Sequence, residues 1–304
     1  MRPLFRSRAR RGFTLLAIAL ICTASRCAGE ETVAVSAIGE NAIEYTKVIT
    51  GIGPRPPGSA GIQKVRDWLS RKVSEQGFAL QSDRFQAPTP IGRIEMVNLS
   101  YVIPGQQRIR KVLLVAHYDS KRFVGFDFVG ANDAASSVAL LVALTPEIQK
   151  RKLPFDVEID FVDGEEAIAQ WTDADSLYGS RRLGSSLQGR KDIRAAFVVD
   201  MVGDADLRLL NEFNSDTNLR AQLKQVVEDL GHSELLDVTP SGMIDDHIPL
   251  ISAGIPTLHL MDYTYGDTTS PGKYWHTAQD TVDKLSPASL SFVGEVILRM
   301  LSRL

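Results

Sequence analysis

Acids and histidines sit where apolar runs stop, and that placement constrains the fold of this chain more than any other feature. Phe155, Val157, Ile159 and Phe161 alternate with Asp156, Glu158 and Asp160. A period of two marks a strand, and this one ends in Asp163-Gly164-Glu165-Glu166. Strand-like runs at Met96–Ile103 and Lys111–Ala116 are separated by the turn Pro104-Gly105, and the second ends in His117-Tyr118-Asp119. A short buried-type strand at Ala195–Val199 ends in Asp200, and Ile255–Leu260 reads as a strand containing His259.

Helical spacings lie between these strands. Ile62, Val65, Leu69 and Val73 are stopped by Gly77, and Leu219, Leu223, Val226 and Leu230 by Gly231. Asp133 precedes an apolar helical stretch over Ala134–Leu144, interrupted by Pro146. Ser286-Pro287 opens a last helix as N-cap and first turn, with Leu290, Val293, Ile297 and Leu301 as its buried face. The alternation predicts an α/β fold: a single-domain three-layer sandwich whose central, mostly parallel or mixed twisted sheet carries helices on both faces. In such sheets the loops beyond the strand ends form the site, which gathers the acids and histidines on one edge.

Clustered carboxylates repel one another and lose hydration unless a cation or a shared proton compensates. A metal is the simplest compensation. Histidine together with carboxylate suits zinc, whereas calcium or magnesium favours oxygen alone. Asp133, Glu166 and His276 fit as protein ligands, with a fourth position for water or substrate. Glu165, next in sequence to a ligand, is free to move protons. Each also has a plainer role: Asp133 as a helix cap, the Glu-Glu pair as a surface turn, and His117, His259 and His276 as structural side chains. Their joint placement at strand ends, in this order, favours the site.

The 304 residues carry a net charge of −3 and a pI near 6.0, which argues against a nucleic-acid surface. Residues 1–28 contain six arginines and no acids. A basic start and a short apolar run, Phe13 to Cys22, read as an export signal too short to span a bilayer comfortably. Arg10-Arg11-Gly12-Phe13 resembles a twin-arginine signal, beside the alternative of a general secretory one. The expected organisation is an export segment at 1–28 and one catalytic domain at 29–304, periplasmic or secreted. Membrane contact would come only through an uncleaved N-terminal segment. Both cysteines, Cys22 and Cys27, lie in or beside that segment, so the body offers neither a disulfide framework nor thiol chemistry. No Gly-x-Ser-x-Gly elbow is present either.

From Pro54-Arg55-Pro56-Pro57-Gly58-Ser59 onward the chain resembles the zinc-peptidase clan that contains the M28 aminopeptidases, and within it the animal-type glutaminyl-peptide cyclotransferases. The resemblance is carried by His117-Tyr118-Asp119-Ser120-Lys121, Gly130-Ala131-Asn132-Asp133 and Asp163-Gly164-Glu165-Glu166-Ala167. Narrower signals are Trp171, Asp175-Ser176-Leu177-Tyr178-Gly179-Ser180-Arg181, Asp245-Asp246-His247-Ile248-Pro249, His259-Leu260 and Trp275-His276-Thr277. The resemblance implies a zinc-exopeptidase-like fold with one zinc per chain on Asp133, Glu166 and His276. It implies Glu165 as general acid/base, in a hydrogen-bonded carboxyl network with Asp200 and Asp245. Trp171 and Trp275 would shape the substrate pocket, with His259 supporting it. The implied substrates are peptides or proteins with N-terminal glutamine, converted to pyroglutamate with loss of ammonia.

The sequence departs from the animal enzymes at their disulfide, since Ala116 and Ser136-Ser137 offer no cysteine. A two-zinc aminopeptidase is the alternative, with His117 and Asp200 on a second metal and Asp133 bridging. A third is an inert exported binding protein, expected to have lost a ligand or the base; none of these residues is missing. A monomer is expected.

Overall fold

The computed structural model describes residues 36–304, so the expected export segment and both cysteines lie outside the described residues. Eight strands are formed there: β1 (Gln81–Thr89), β2 (Gly92–Ile103), β3 (Lys111–His117), β4 (Asp156–Val162), β5 (Ile193–Asp200), β6 (Leu209–Glu212), β7 (Leu236–Ser241) and β8 (Thr257–Met261). Six of them build the central sheet in the order β1-β2-β4-β3-β5-β8. The β1–β2 and β2–β4 pairs are antiparallel, while β4, β3, β5 and β8 run parallel. The expected mixed sheet is present, joined by a small parallel pair, β6–β7, that periodicity had not indicated.

The inner parallel strands β3 and β5 are apolar at most positions because both of their faces are covered, whereas β4 alternates with Asp156, Glu158 and Asp160. Val112, Leu114 and Ala116 of β3 face one large core made with α1 (36–51), α2 (Ala60–Glu75), α3 (Ser137–Arg151), α5 (Thr217–Asp229) and α7 (Pro287–Arg303). Leu113 and Val115 face a smaller core closed by α4 (Tyr178–Leu187) and α6 (His247–Ser252). These are the three layers. Ser286 caps α7 as expected, its side chain accepting from Ala288 N.

Two local expectations are corrected. Pro146 does not interrupt its helix: α3 runs through it to Arg151. A proline leaves the carbonyl four residues earlier without its partner, and here the Gln76 side chain donates to that carbonyl, Val142 O, at 3.0 Å. The regular helix also starts at Ser137, not Ala134. Ala131–Ser136 form a wider π-type turn in which Asp133 and Ala134 leave helical geometry.

The α2 helix is fastened to the sheet by a buried ion pair, Arg66 Nη2 to Asp163 Oδ2 at 2.6 Å. The Arg66 Nε also donates to Tyr118 Oη, and Asp163 accepts from Val97 N. Removing one partner of a buried pair strands the other charge, so Arg66→Leu should cost about 3–5 kcal/mol. Denaturant unfolding reads this directly. A loss below about 1 kcal/mol would show that Asp163 does not depend on Arg66.

Candidate active site

The loop that follows β4 is held open by one buried carboxylate. Asp119, just past the end of β3, accepts from the backbone N–H groups of Gly164, Glu165 and Glu166 at 3.0, 3.2 and 3.3 Å. Gly164 adopts φ +70° against the Met96 side chain, a conformation and a space that suit only glycine. With their backbone fixed, Glu165 and Glu166 both face inward, 6% and 2% exposed.

The turn carrying Asp133 is held by a different acid. Asp280 accepts from Asn132 N at 2.7 Å and from Asp133 N at 3.2 Å, and it also accepts from Tyr265 Oη. Asp280 therefore caps the N-terminal end of this turn, and Asp133 lies inside the turn with its carboxylate toward His117 and His276. Arg55, fully buried, ties this turn to the end of β3 by donating to Tyr118 O, Val129 O and Gly130 O. A third clamp, Asp175, accepts from the N–H groups of Ile168, Ala169 and Gln170 and from Tyr178 Oη, closing the loop that carries Trp171.

These supports bring Asp133, Glu166 and His276 together. His276 Nε2 lies 2.8 Å from Glu166 Oε1 and 3.2 Å from Asp133 Oδ2. Lys121 Nζ occupies the other Glu166 oxygen at 2.8 Å. The His276 ring is boxed in: Trp275 stacks on it at 3.8 Å, and Phe123 and Phe128 meet it edge-on. A second group adjoins, with His117 Nε2 at 3.3 Å from both Asp133 Oδ1 and Asp200 Oδ1, and His117 Nδ1 at 3.4 Å from Asp119 Oδ1. Both triplets, Asp133/Glu166/His276 and His117/Asp133/Asp200, can converge on a cation.

The electrostatics favour such a cation. Burial raises Glu165 well above the usual glutamate range, with Glu166, Asp245 and Asp246 adding to the effect against His117. Burial likewise pushes Asp200 up to about 7, opposed by His117. Burial disfavours a charge on His276, yet Asp133 and Glu166 overcome it and raise the ring to about 9. A buried donor set rich in carboxylates and holding one histidine fits a divalent cation such as zinc.

One cavity of about 440 Å³ opens onto this set. Asp133, Glu165, Glu166, Trp171, Asp200, Asp245, Trp275 and His276 all line it, joined by Lys121, Met243, Ile244, Met261 and Tyr263. Trp171 stands at the rim, 41% exposed. His259 is not on that wall. It lies one step behind, buried, with Nε2 3.5 Å from Asp245 Oδ2. His247 opens α6. His232 is exposed beside Glu234, as a structural helix-end histidine would be. Sequence reasoning assigned no role to Asp119 or Asp280, because an acid that binds backbone N–H groups leaves no spacing signal.

The chain is similar to several known proteins. Residues 98–301 match peptidase family M28. A glutaminyl-peptide cyclotransferase-like protein of Mus musculus is 30% identical over 276 residues, covering 80% of this chain and 70% of that one. A glutaminyl-peptide cyclotransferase of Boiga irregularis is 26% identical, covering 80% and 75%. The crystal structure of an Acidobacteriales bacterium glutaminyl cyclase superposes with a TM-score of 0.81 at 34% identity, covering 88% of this chain and 94% of the other.

The raised His276 carries its own test. The metal-free ring holds a proton up to about pH 9, but a cation binds only the neutral imidazole. Zinc binding near neutral pH should therefore release about one proton per ion, and affinity should rise as pH approaches that value. Calorimetry in buffers of different ionisation enthalpy measures the proton. Zinc binding without proton release would exclude His276 from the ligand set.

Proposed function

We infer that this chain, which belongs to peptidase family M28 and within it to the glutaminyl-peptide cyclotransferases, closes the N-terminal glutamine of peptides or proteins to pyroglutamate and releases ammonia. The observation that carries the reading is the single cavity in which a free glutamate, Glu165, stands beside the Asp133/Glu166/His276 triplet under two tryptophans.

We assign Asp133, Glu166 and His276 as the ligands of one zinc per chain. Zinc bound there would polarise the γ-amide carbonyl and stabilise the oxyanion that forms as the ring closes. Glu165 takes a proton from the α-amino nitrogen, which then bonds to the γ-amide carbon. The same proton is passed to the amide nitrogen, the C–N bond breaks, and ammonia leaves. Because the substrate brings its own nucleophile, no serine or cysteine is required. Asp200 and Asp245 face the same cavity and share a proton with Glu165, since three buried carboxyls cannot all ionise together. Trp171 and Trp275 hold the glutamine side chain and exclude bulk water. His259 supports Asp245 from behind.

The His117/Asp133/Asp200 triplet supports a second reading, a two-zinc aminopeptidase in which Glu165 activates water. An inert binding protein is disfavoured because every ligand and the base are in place. The arginine-rich start with its short apolar run supports export to the periplasm or the exterior, where the domain would act as a monomer. Among the described residues no helix is long and apolar enough to cross a membrane.

A short Gln-initiated peptide and the metal content decide between the two chemistries. Ammonia release with every peptide bond intact and about one zinc per chain is expected. Free glutamine and about two zincs would establish the aminopeptidase. Glu165→Gln should retain zinc and lose about 10²–10⁴-fold in kcat; undiminished turnover would remove it as the base. Trp171→Ala should raise KM for the glutaminyl peptide while the melting temperature stays put, and an unaltered KM would deny it a pocket role.

A further inference from the structure

From Asp245 a column of buried side chains continues away from the cavity. His259 Nε2 lies 3.5 Å from Asp245 Oδ2, and the His259 ring stacks on His247 with centroids 4.4 Å apart and planes 15° from parallel. His247 Nε2 in turn lies 3.5 Å from Glu212 Oε2. None of the four is more than 3% exposed. Neither ring has a hydrogen bond on either nitrogen, so these carboxylates are the nearest groups to which they can turn.

The far end of the column is fixed. Glu212 Oε1 accepts from Asn214 N, Asn214 Nδ2 and Met243 N, and Oε2 accepts from Ser215 N and Ser215 Oγ. The same Ser215 hydroxyl accepts from His259 N, which ties β8 to this anchor. Glu212 therefore acts as a rigid post against which His247 is set.

Asp245, His247 and His259 have the composition of a metal site, but the stack argues against one. Ring nitrogens point within the plane of their ring, so two nearly parallel rings direct lone pairs alongside each other. A tetrahedral ion needs them to converge. Stacking also prevents both rings from carrying charge. His259 is held down to about 4 by burial and by His247, against the pull of Asp245 and Glu212. A neutral imidazole has one donor nitrogen, and its partner selects which.

We propose that His247 and Glu212 are positioning residues for the cyclisation: they hold the His259 ring with its Nε2–H toward Asp245, and so fix the orientation of that carboxyl on the cavity wall. The proposal rests on the reading of Asp245 given above. The titratable groups facing the histidine pair are Asp245 on the cavity side and Glu212 on the other.

His247→Phe tests this by keeping a flat ring in the stack while losing the hold of Glu212. In the zinc-loaded enzyme it should lower kcat by about ten- to a hundredfold, as displaced catalytic groups do. KM and zinc content should stay unchanged. Normal kcat, or a lowered kcat accompanied by a raised KM or by loss of zinc, would overturn the proposal. Nitrogen NMR of the wild-type protein supplies a test that needs no variant: His259 should be the Nε2–H tautomer, and an Nδ1–H tautomer would overturn it equally. Asp245→Asn separates the two levels. If that enzyme is fully active, the carboxyl reading has failed; if it is inactive while His247→Phe behaves as wild type, only the positioning role has.

Discussion

The structure depends on an electrostatic debt at one edge of the sheet. Asp133, Glu165, Glu166, Asp200 and Asp245 face one cavity with little water to solvate them. Left alone, such a set would protonate or spread apart. Burial does raise Glu165 and Asp200 toward protonation, but the set is kept from spreading because its backbone is held by other acids. Asp119, Asp175 and Asp280 spend their oxygens on backbone N–H groups. Two kinds of buried aspartate thus coexist within a few residues. One kind is satisfied and structural; the other is short of partners and faces the cavity.

That division explains what could be read from the sequence and what could not. The strands around Met96–Ile103, Lys111–Ala116, Asp156–Val162 and Ala195–Val199 were legible because their period or apolar continuity is local. The last helix was legible from Ser286-Pro287. The placement of Asp133, Glu166 and His276 on one edge followed from strand ends and from the resemblance. The limits were non-local. Pro146 reads as a helix breaker until Gln76, some seventy positions earlier, meets the carbonyl it frees. Asp133 reads as a helix cap until the π-type turn is seen to enclose it, with Asp280 holding the turn's N-terminal end. β6 and β7 carry too little periodicity to announce themselves, and β1 is an exposed edge strand whose outward face is polar.

The ligand geometry by itself does not choose between one metal and two. His117, Asp133 and Asp200 are as well gathered as Asp133, Glu166 and His276. Their environments differ, however. His117 is sealed under the sheet edge, 1% exposed, and does not reach the cavity wall, whereas His276 lines it. An ion on the His276 side would meet substrate directly. An ion on the His117 side would bear chiefly on Asp133 and Asp200.

Water access is the remaining discriminator. A peptidase must deliver a water molecule to the carbonyl carbon; a cyclase must keep water away while the substrate's own nitrogen reaches it. Both reactions can be built on the same sheet edge, so the difference lies in the loops above it. Here the loop closed by Asp175 sets Trp171 at the rim, and the loop ending in His276 stacks Trp275 on the His276 ring. One indole thus screens the mouth, and the other covers a face of His276 that an approaching water would otherwise use. The chemistry proposed for Glu165 depends on that screening as much as on its carboxyl. Its proton must travel from one substrate nitrogen to the other, and a water admitted between them would intercept the transfer.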